Sequence, residues 1–266
     1  MQTLQTSELR ELLDLASEAA RQAGAYLRSS RPEVAAHVGR DIKLVQDVEA
    51  EKIILGVLES SRLAVLAEES GGADLGDAPC WVIDPLDGTY NYYRGMHDCA
   101  ACVGLWIGGA PRLGAIHHLG EDALYTGAAG IAAERDGAAV RPAGTGTLER
   151  AVLTTGITAR SNLDAQTLTR RVQTWSAFRK VRMCGSAASA MLHVASGACD
   201  VYTEVDVMPW DVCASSAILE AAGGAHHWTP AASGHEGAWD FACAGSPQLL
   251  RLFLDAQETA RQTAPK

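Results

Sequence analysis

The chain has no apolar run approaching the roughly 20 residues that a membrane span needs, and no basic-then-apolar segment opens it. A spanning or signal-bearing protein is therefore not expected. Positive charge is scarce: 22 Lys and Arg stand against 32 Asp and Glu, for a formal net charge of −10. Nucleic-acid backbones are held by Lys and Arg patches, so the same scarcity argues against that class of partner. An even cysteine set is missing too. Seven cysteines point to a reducing compartment, the cytoplasm, rather than to a disulfide framework. Internal repeats and low-complexity tracts are absent, and 266 residues can bury a large core as one domain or two closely packed halves.

Some apparent motifs lack what they need. Cys99-Ala-Ala-Cys102 has redox spacing but sits in a core-strand pattern, where residues three apart face opposite sides. The pairs His117-His118 and His226-His227 have no ligand spacing to each other or to a cysteine pair. Gly71-Gly72-x₃-Gly76 is followed by polar loop residues instead of a helix, so it is no dinucleotide fingerprint.

What is present is concentrated in Trp81-Val82-Ile83-Asp84-Pro85-Leu86-Asp87-Gly88-Thr89. A short apolar strand runs into a turn carrying two carboxylates three residues apart, close enough to face one small volume. Like charges that close repel, and a hard oxygen-seeking cation such as Mg²⁺ is the usual remedy. Gly88 allows the backbone near a ligand, and Thr89 adds a hydroxyl where a following helix offers N–H groups to an anion. Asp, Pro and Gly are also ordinary surface-turn residues, so this stretch alone leaves a plain turn open.

Two further segments bear on the same point. Trp210-Asp211 opens an apolar pattern of helical spacing that Gly223-Gly224 stop, which places Asp211 at or near a helix N-terminus. Leu63 to Ala67 form another short apolar run, leading into Glu68-Glu69-Ser70. Taken singly, the first reads as a helix cap and the second as a solvated loop.

Together, Glu68-Glu69-Ser70, Asp84-Pro-Leu-Asp87-Gly-Thr-Tyr-Asn91 with Gly95, and Trp210-Asp211 through Glu220-Ala-Ala-Gly223-Gly224 resemble the inositol monophosphatase family. That family lies within the lithium-sensitive, Mg²⁺-dependent phosphatases, and the resemblance covers nearly the whole chain. It implies an α+β fold, the layered α/β/α/β/α sandwich of the inositol monophosphatase and fructose-1,6-bisphosphatase type. It also implies a homodimer, two or three Mg²⁺ ions, inhibition by Li⁺ and a small phosphorylated substrate. Carried over by motif, Glu68, Asp84, Asp87 and Asp211 become metal carboxylates, with the Leu86 carbonyl as a further ligand. Thr89 and Asp47 become the pair that orients the attacking water, with Glu68 also catalytic. Gly88 and Thr89 hold the phosphate, and Gly185, Ser186, Ala187 and Glu204 meet the organic part of the substrate.

These residue types suit the chemistry. A phosphate monoester dianion repels nucleophiles and hydrolyses extremely slowly unaided. Paired Mg²⁺ ions can activate water on one side and stabilise the leaving oxygen on the other. No Cys-x₅-Arg signature is present, so direct attack by water is expected, without a phospho-enzyme. Asp47 in Leu44-Val45-Gln46-Asp47 is the acceptor that the resemblance gives Thr89; its local reading is a cap on the helix that follows.

The patterning predicts a helix from a Ser7 cap to about Ser29, with Leu9, Leu12, Leu13, Ala16, Ala20 and Leu27 inward, and a second over about 48–60. Strands are expected at 63–66, 80–83, 100–107, 113–118 and 123–126, with Gly108-Gly109 as a hairpin turn. Pro, Gly and Thr around 142–146 mark a boundary between halves 1–145 and 146–266, which form one catalytic unit. Beyond it come strands near 151–155, 180–183, 199–203 and 241–245. Helices are expected near 163–176 and 186–196 and from Asp211. The final dozen residues are polar and expected to fray.

Departures from the family pattern concern specificity. Met96-His97-Asp98 replace the usual apolar residue and Pro after Gly95, and Arg40-Asp41-Ile42-Lys43-Leu44 leaves Arg40 and Lys43 as rival lid cations. An inositol or similar polyol phosphate is the leading substrate, and Asn91 favours it over a nucleotide. Histidinol phosphate, fructose 1,6-bisphosphate and 3′-phosphoadenosine nucleotides keep the same chemistry. A non-catalytic sugar-phosphate binder would be expected to have lost a ligand, and none of the four acids is missing.

Overall fold

The first helix forms where its apolar stripe predicts. α1 spans Thr6–Ser29 and buries Leu9, Leu13, Ala16, Ala20 and Leu27. Its cap is Gln5 instead of Ser7, because Glu8 reaches back to accept the Gln5 N–H at 2.7 Å. That closure satisfies a donor which a helix start otherwise leaves orphaned. The structure, a computed structural model, describes residues 5–263. A hairpin absent from the sequence reading follows: β1 (Val34–Val38) and β2 (Asp41–Leu44). β1 is almost wholly exposed, so no alternation marks it. α2 covers Val45–Leu58 and begins at Val45 instead of Val48, since the Asp47 carboxylate accepts the Leu44 N–H at 2.6 Å and closes the first turn.

The next stretch contains β3 (Ala64–Ala67), β4 (Gly71–Gly72), β5 (Cys80–Asp87), the short helix α3 (Thr89–Tyr93), β6 (Ala100–Ile107), β7 (Ala110–His118), β8 (Ala123–Ala128), β9 (Ile131–Arg135) and β10 (Ala138–Ala139). Its strands make one eight-stranded sheet in the order β10-β9-β8-β7-β6-β5-β3-β4. All five expected strands lie in it, and Gly108-Gly109 turns β6 into β7. Cys99 packs towards α1 and α2 while Cys102 packs into the core on the other face, and all seven cysteines are free.

The second sheet uses β11 (Val152–Thr155), α4 (Ala165–Trp175), β12 (Lys180–Met183), α5 (Ala187–Ala195), β13 (Val201–Val207), α6 (Pro209–Ala221), β14 (Ala225–Pro230), β15 (Trp239–Ala244) and α7 (Pro247–Thr263). Its order is β12-β11-β13-β15-β14, with β11 parallel to both neighbours. β14, an edge strand with no fully buried residue, escaped the sequence reading. The expected fraying also needs correction. α7 runs to Thr263, and Leu254 and Ala256 pack against the core of Leu249, Leu250 and Phe253; residues 264–266 lie outside the described residues.

The layers follow from these contacts. α1 and α2 cover one face of the large sheet, α5 and α6 fill the space between the sheets, and α4 and α7 close the far side. This is the α/β/α/β/α sandwich. α6 packs on β5, β6, β7 and β8 as well as on β14, so one helix ties both sheets together. Among the described residues no helix is long and apolar enough to cross a membrane.

Candidate active site

Strand register brings the first acids together. β3 and β5 are parallel with Ala67 opposite Ile83, so the chain leaves both strands side by side, at Glu68 and Asp84. The Glu68 N–H donates to the Ile83 carbonyl at 3.1 Å. Buried Glu51 holds the turn beyond by accepting the N–H groups of Glu69 (2.9 Å) and Ser70 (3.1 Å). Glu69 turns to Lys43, 2.7 Å away. Glu68 and Glu69 therefore have opposite fates: one is paired with a cation, the other left facing the cavity.

Asp84 and Asp87 sit on strand, where a three-residue spacing should send their side chains to opposite faces. A bulge corrects this. Asp84 pairs with Cys102 and Asp87 with Ala100, so three steps on β5 match two on β6. The extra residue restores a common face, and Pro85, which has no N–H, is tolerated at such an irregularity. The expected tight turn is thus a bulged strand end, with Trp81, Ile83 and Leu86 fully buried behind it.

Gly88 follows with φ +80°, and a Cβ there would lie 2.8 Å from the Asp98 carbonyl, so only glycine fits this bend into α3. The Thr89 hydroxyl donates to the Leu86 carbonyl at 3.0 Å, with Asp47 at 3.5 Å as the alternative acceptor. Asp47 closes the first turn of α2 and stands behind Thr89, at 3.5 Å from its hydroxyl. Asp211 is held in the same way. It lies in the first turn of α6 and accepts the Met208 N–H at 2.7 Å. From the second sheet, Ser186 caps α5 and donates to Asp87, which also accepts the Ala188 N–H at 2.9 Å. Glu204, on β13, accepts the Tyr202 hydroxyl at 2.9 Å over Gly156, where a Cβ would lie 2.2 Å from its Oε2.

A cavity of about 430 Å³ gathers these groups. Glu68, Asp84, Leu86, Asp87, Gly88, Thr89, Gly185, Ser186, Ala187, Glu204 and Asp211 all line it; Asp47 alone among the expected residues stands behind the wall. Of the two candidate cations, Arg40 lines the cavity and is tied to the carbonyls of Ala159 and Ser161, both at 2.7 Å, while Lys43 is taken by Glu69. The sequence reading missed the 156–160 segment, whose Arg160 also lines the cavity and donates to the Asp206 carbonyl at 3.1 Å. Only its Gly156 and Arg160 hinted at it, because loop residues carry no periodicity.

The electrostatics are one-sided. Removal from bulk water, then the charges of Glu68, Asp87 and Asp211, push the Asp84 carboxyl well above the ordinary carboxylate range. Burial, then Asp211, raises Glu68. Burial also lifts Asp211 to about 7 and Glu204 to about 8, against the Met208 N–H and the Tyr202 hydroxyl respectively. Asp87 rises less far, because Ser186 and the N–H groups opening α5 stabilise its charge. Among the described residues, no Lys, Arg or His forms an ion pair with Glu68, Asp84, Asp87 or Asp211. Four carboxylates that line one cavity without a counter-charge fit a hard divalent cation.

The family model described as the inositol monophosphatase family matches residues 8–260. Inositol monophosphatase 1 of Solanum lycopersicum is 31% identical over 260 residues, covering 93% of this chain and 95% of that protein. Inositol-1-monophosphatase of Synechocystis sp. is 33% identical over 232 residues, covering 82% and 79%. The solved inositol monophosphatase of Anabaena (Nostoc) sp. superposes with a TM-score of 0.79 at 30% identity, covering 97% of this chain and 98% of its own.

Proposed function

The chain belongs to the inositol monophosphatase family, a family of phosphoric monoester hydrolases, and on that premise we propose that it is a Mg²⁺-dependent phosphomonoesterase acting on an inositol monophosphate or similar polyol phosphate. Family membership implies dependence on a divalent metal; the choice of Mg²⁺ rests on the all-oxygen donor set. One observation carries the reading: four carboxylates without a counter-ion meet Gly88 and Thr89 in one cavity.

Glu68, Asp84, Asp87, Asp211 and the Leu86 carbonyl would hold two or three Mg²⁺ ions. Such ions, when bound, supply electrophilic charge towards the phosphate and acidify water in the site. The chain's own groups do the positioning. Gly88 and Thr89 offer backbone N–H groups to the phosphate. A threonine hydroxyl has one proton, shared here between the Leu86 carbonyl and Asp47. With that carbonyl turned to a cation, the Thr89 hydroxyl would donate to Asp47 instead, leaving its oxygen to accept from the attacking water. Glu68 is the further acid on the water's side. Gly185, Ser186 and Ala187 form the wall beside the ester's organic part, and Glu204 accepts hydrogen bonds from its hydroxyls.

Residues 1–145 and 146–266 act in this reading as two halves of one catalytic unit. The protein is a cytoplasmic homodimer that needs neither membrane nor nucleic acid, which sedimentation and cell fractionation would test. The deciding experiment is a panel of phosphate esters assayed with Mg²⁺, including inositol 1-phosphate, histidinol phosphate, fructose 1,6-bisphosphate and 3′-phosphoadenosine nucleotides. Inositol 1-phosphate should have the highest kcat/KM, Li⁺ should inhibit, and chelation should abolish turnover. Full turnover after exhaustive chelation would overturn the metal dependence; a faster ester of another class would overturn the substrate.

A further inference from the structure

A second group of ligand-bearing side chains lies behind the substrate wall. Asp98 follows the Met96-His97 departure, Cys184 ends the segment leading into Gly185-Ser186, and His193 lies on α5. One ligand atom from each lies within 4.8 Å of the others. The Cys184 Sγ is 3.8 Å from His193 Nδ1, and His193 Nε2 is 3.9 Å from Asp98 Oδ1. Tetrahedral zinc bonds to sulfur and nitrogen put neighbouring ligand atoms about 3.6 Å apart. The two His193 contacts use opposite nitrogens of the ring, so a single metal would take one nitrogen and draw the three ligand atoms together from their present spacing of up to 4.8 Å.

We propose that Asp98, Cys184 and His193 form a second metal site, separate from the carboxylate cavity and selective for a borderline-soft divalent cation such as Zn²⁺. The donor set argues for the selectivity, because thiolate and imidazole favour Zn²⁺ while Mg²⁺ keeps to oxygen. All three residues are partly exposed, so a cation can enter and water can complete the coordination. Binding deprotonates the thiol: the Cys184 S–H proton leaves to solvent as the metal–sulfur bond forms.

His118 supports the site without ligating it. Its Nδ1 accepts the Glu121 N–H at 3.1 Å, which leaves the hydrogen of a neutral ring on Nε2, a buried atom with no partner. Asp98 and His193 both lie within electrostatic reach of this ring. A carboxylate drawn inward by a cation is the acceptor that such a buried donor lacks. The site also adjoins the substrate wall. Asn91 Nδ2 donates to the carbonyls of Asp98 and Cys184, both at 2.7 Å, so one amide already ties two of the ligand-bearing segments together.

The test uses the full chain, stripped of metal and then held in excess Mg²⁺ to occupy the oxygen site. Titrated Co²⁺ should give one equivalent of sulfur-to-metal charge-transfer absorption, which Zn²⁺ then displaces; an all-carboxylate site cannot produce that band. Cys184→Ser should abolish it. His193→Gln, which keeps the thiol and serves if the serine variant fails to fold, should weaken Zn²⁺ binding by about 100-fold. Zn²⁺ should raise the melting temperature of the wild type more than that of His193→Gln. Co²⁺ bound without the band, a band that persists in Cys184→Ser, or unaltered affinity in His193→Gln would each overturn the proposal.

Discussion

The two sheets meet one cavity on different terms. The eight-stranded sheet brings charge: Glu68, Asp84 and Asp87 project from two adjacent, parallel strand ends, where register and a bulge set their positions. The five-stranded sheet brings mainly shape and hydrogen bonding, through Ser186 at a helix cap and Glu204, which lies midway along β13 and not at its end, next to a register shift. The further acid Asp211 arrives on the helix that packs against both sheets. On the first side Asp84 and Asp87 are buried and the acids repel one another, while on the second the buried Ser186 hydroxyl and the Glu204 carboxyl each have a hydrogen-bond partner. Stability and chemistry should therefore respond oppositely to change on the first side. On the second, they should respond weakly and in substrate preference.

The largest expected effect breaks the charged side. Asp84→Asn and Asp211→Asn should each lower turnover about 10³-fold or more, since each removes charge aimed at the reacting centre. Both amides can still accept the backbone N–H that the acid accepts now, from Leu86 and Met208 respectively. The metal-free variants should therefore melt at or above the wild-type temperature. Asp87→Asn should not share that gain, because Asp87 receives the Ser186 hydroxyl and the N–H groups that open α5. Near-normal turnover at moderate Mg²⁺ would remove either residue from the metal set.

Next in size is Thr89→Ala, with turnover down about 10²-fold and phosphate affinity nearly unchanged, the lower end for losing one positioned proton-handling group. The contrast it sharpens is between the Thr89 hydroxyl, which is shared with Leu86 and Asp47, and the backbone of Gly88 and Thr89, which the mutation spares. Equal losses of affinity and rate, read from inorganic phosphate inhibition and single-turnover assays, would make Thr89 a binding residue instead.

A subtler effect concerns pH. Asp47 and Asp211 are raised to about 7, mainly by burial, and Asp84 moves in the same direction. Unfolded carboxyls titrate near 4. Between about pH 4 and pH 8 these carboxyls thus hold more protons in the native metal-free chain than in the unfolded one. That outweighs the opposing shift of His117 and His118, lowered by burial, so stability falls as pH rises. Melting temperature in chelator should drop by several degrees from pH 5 to pH 8, and Asp84→Asn should flatten the slope. A metal-free protein that grows more stable over that range would contradict the picture of unpaired buried acids.

How much of this was legible beforehand follows the same division. The acids on the first sheet announce themselves because they end short apolar runs, and the strand pattern places them within a residue or two. The bulge that turns Asp84 and Asp87 to one side was not legible, since it exists only relative to β6. Arg160 and the Asp98, Cys184 and His193 group were equally hidden, because they come from loops and separate segments that only the tertiary fold brings together. The polarity of the last residues masked α7, whose Leu249, Leu250 and Phe253 join a core with Leu153, Phe178 and Val201 that outweighs a weak local signal.

The smallest effect is expected where the second sheet meets the substrate. Glu204 lines the cavity, accepts the Tyr202 hydroxyl through Oε2 and has its pKa raised to about 8 by burial. A carboxyl so placed can share hydrogen bonds with the hydroxyls of a cyclitol or sugar, and it gains nothing from a simple alkyl ester. Losing one such hydrogen bond is worth about tenfold. Glu204→Ala should therefore reduce the ratio of kcat/KM for inositol 1-phosphate over glycerol 2-phosphate by about tenfold, and leave kcat for the poorer ester nearly unchanged. Gly156→Ala gives an independent route to the same result, because the added Cβ would displace the Glu204 carboxylate without removing it. If the wild type handles both esters equally and neither substitution alters the ratio, Glu204 is a strand acid without a recognition role, and the division of labour between the sheets fails on its second side.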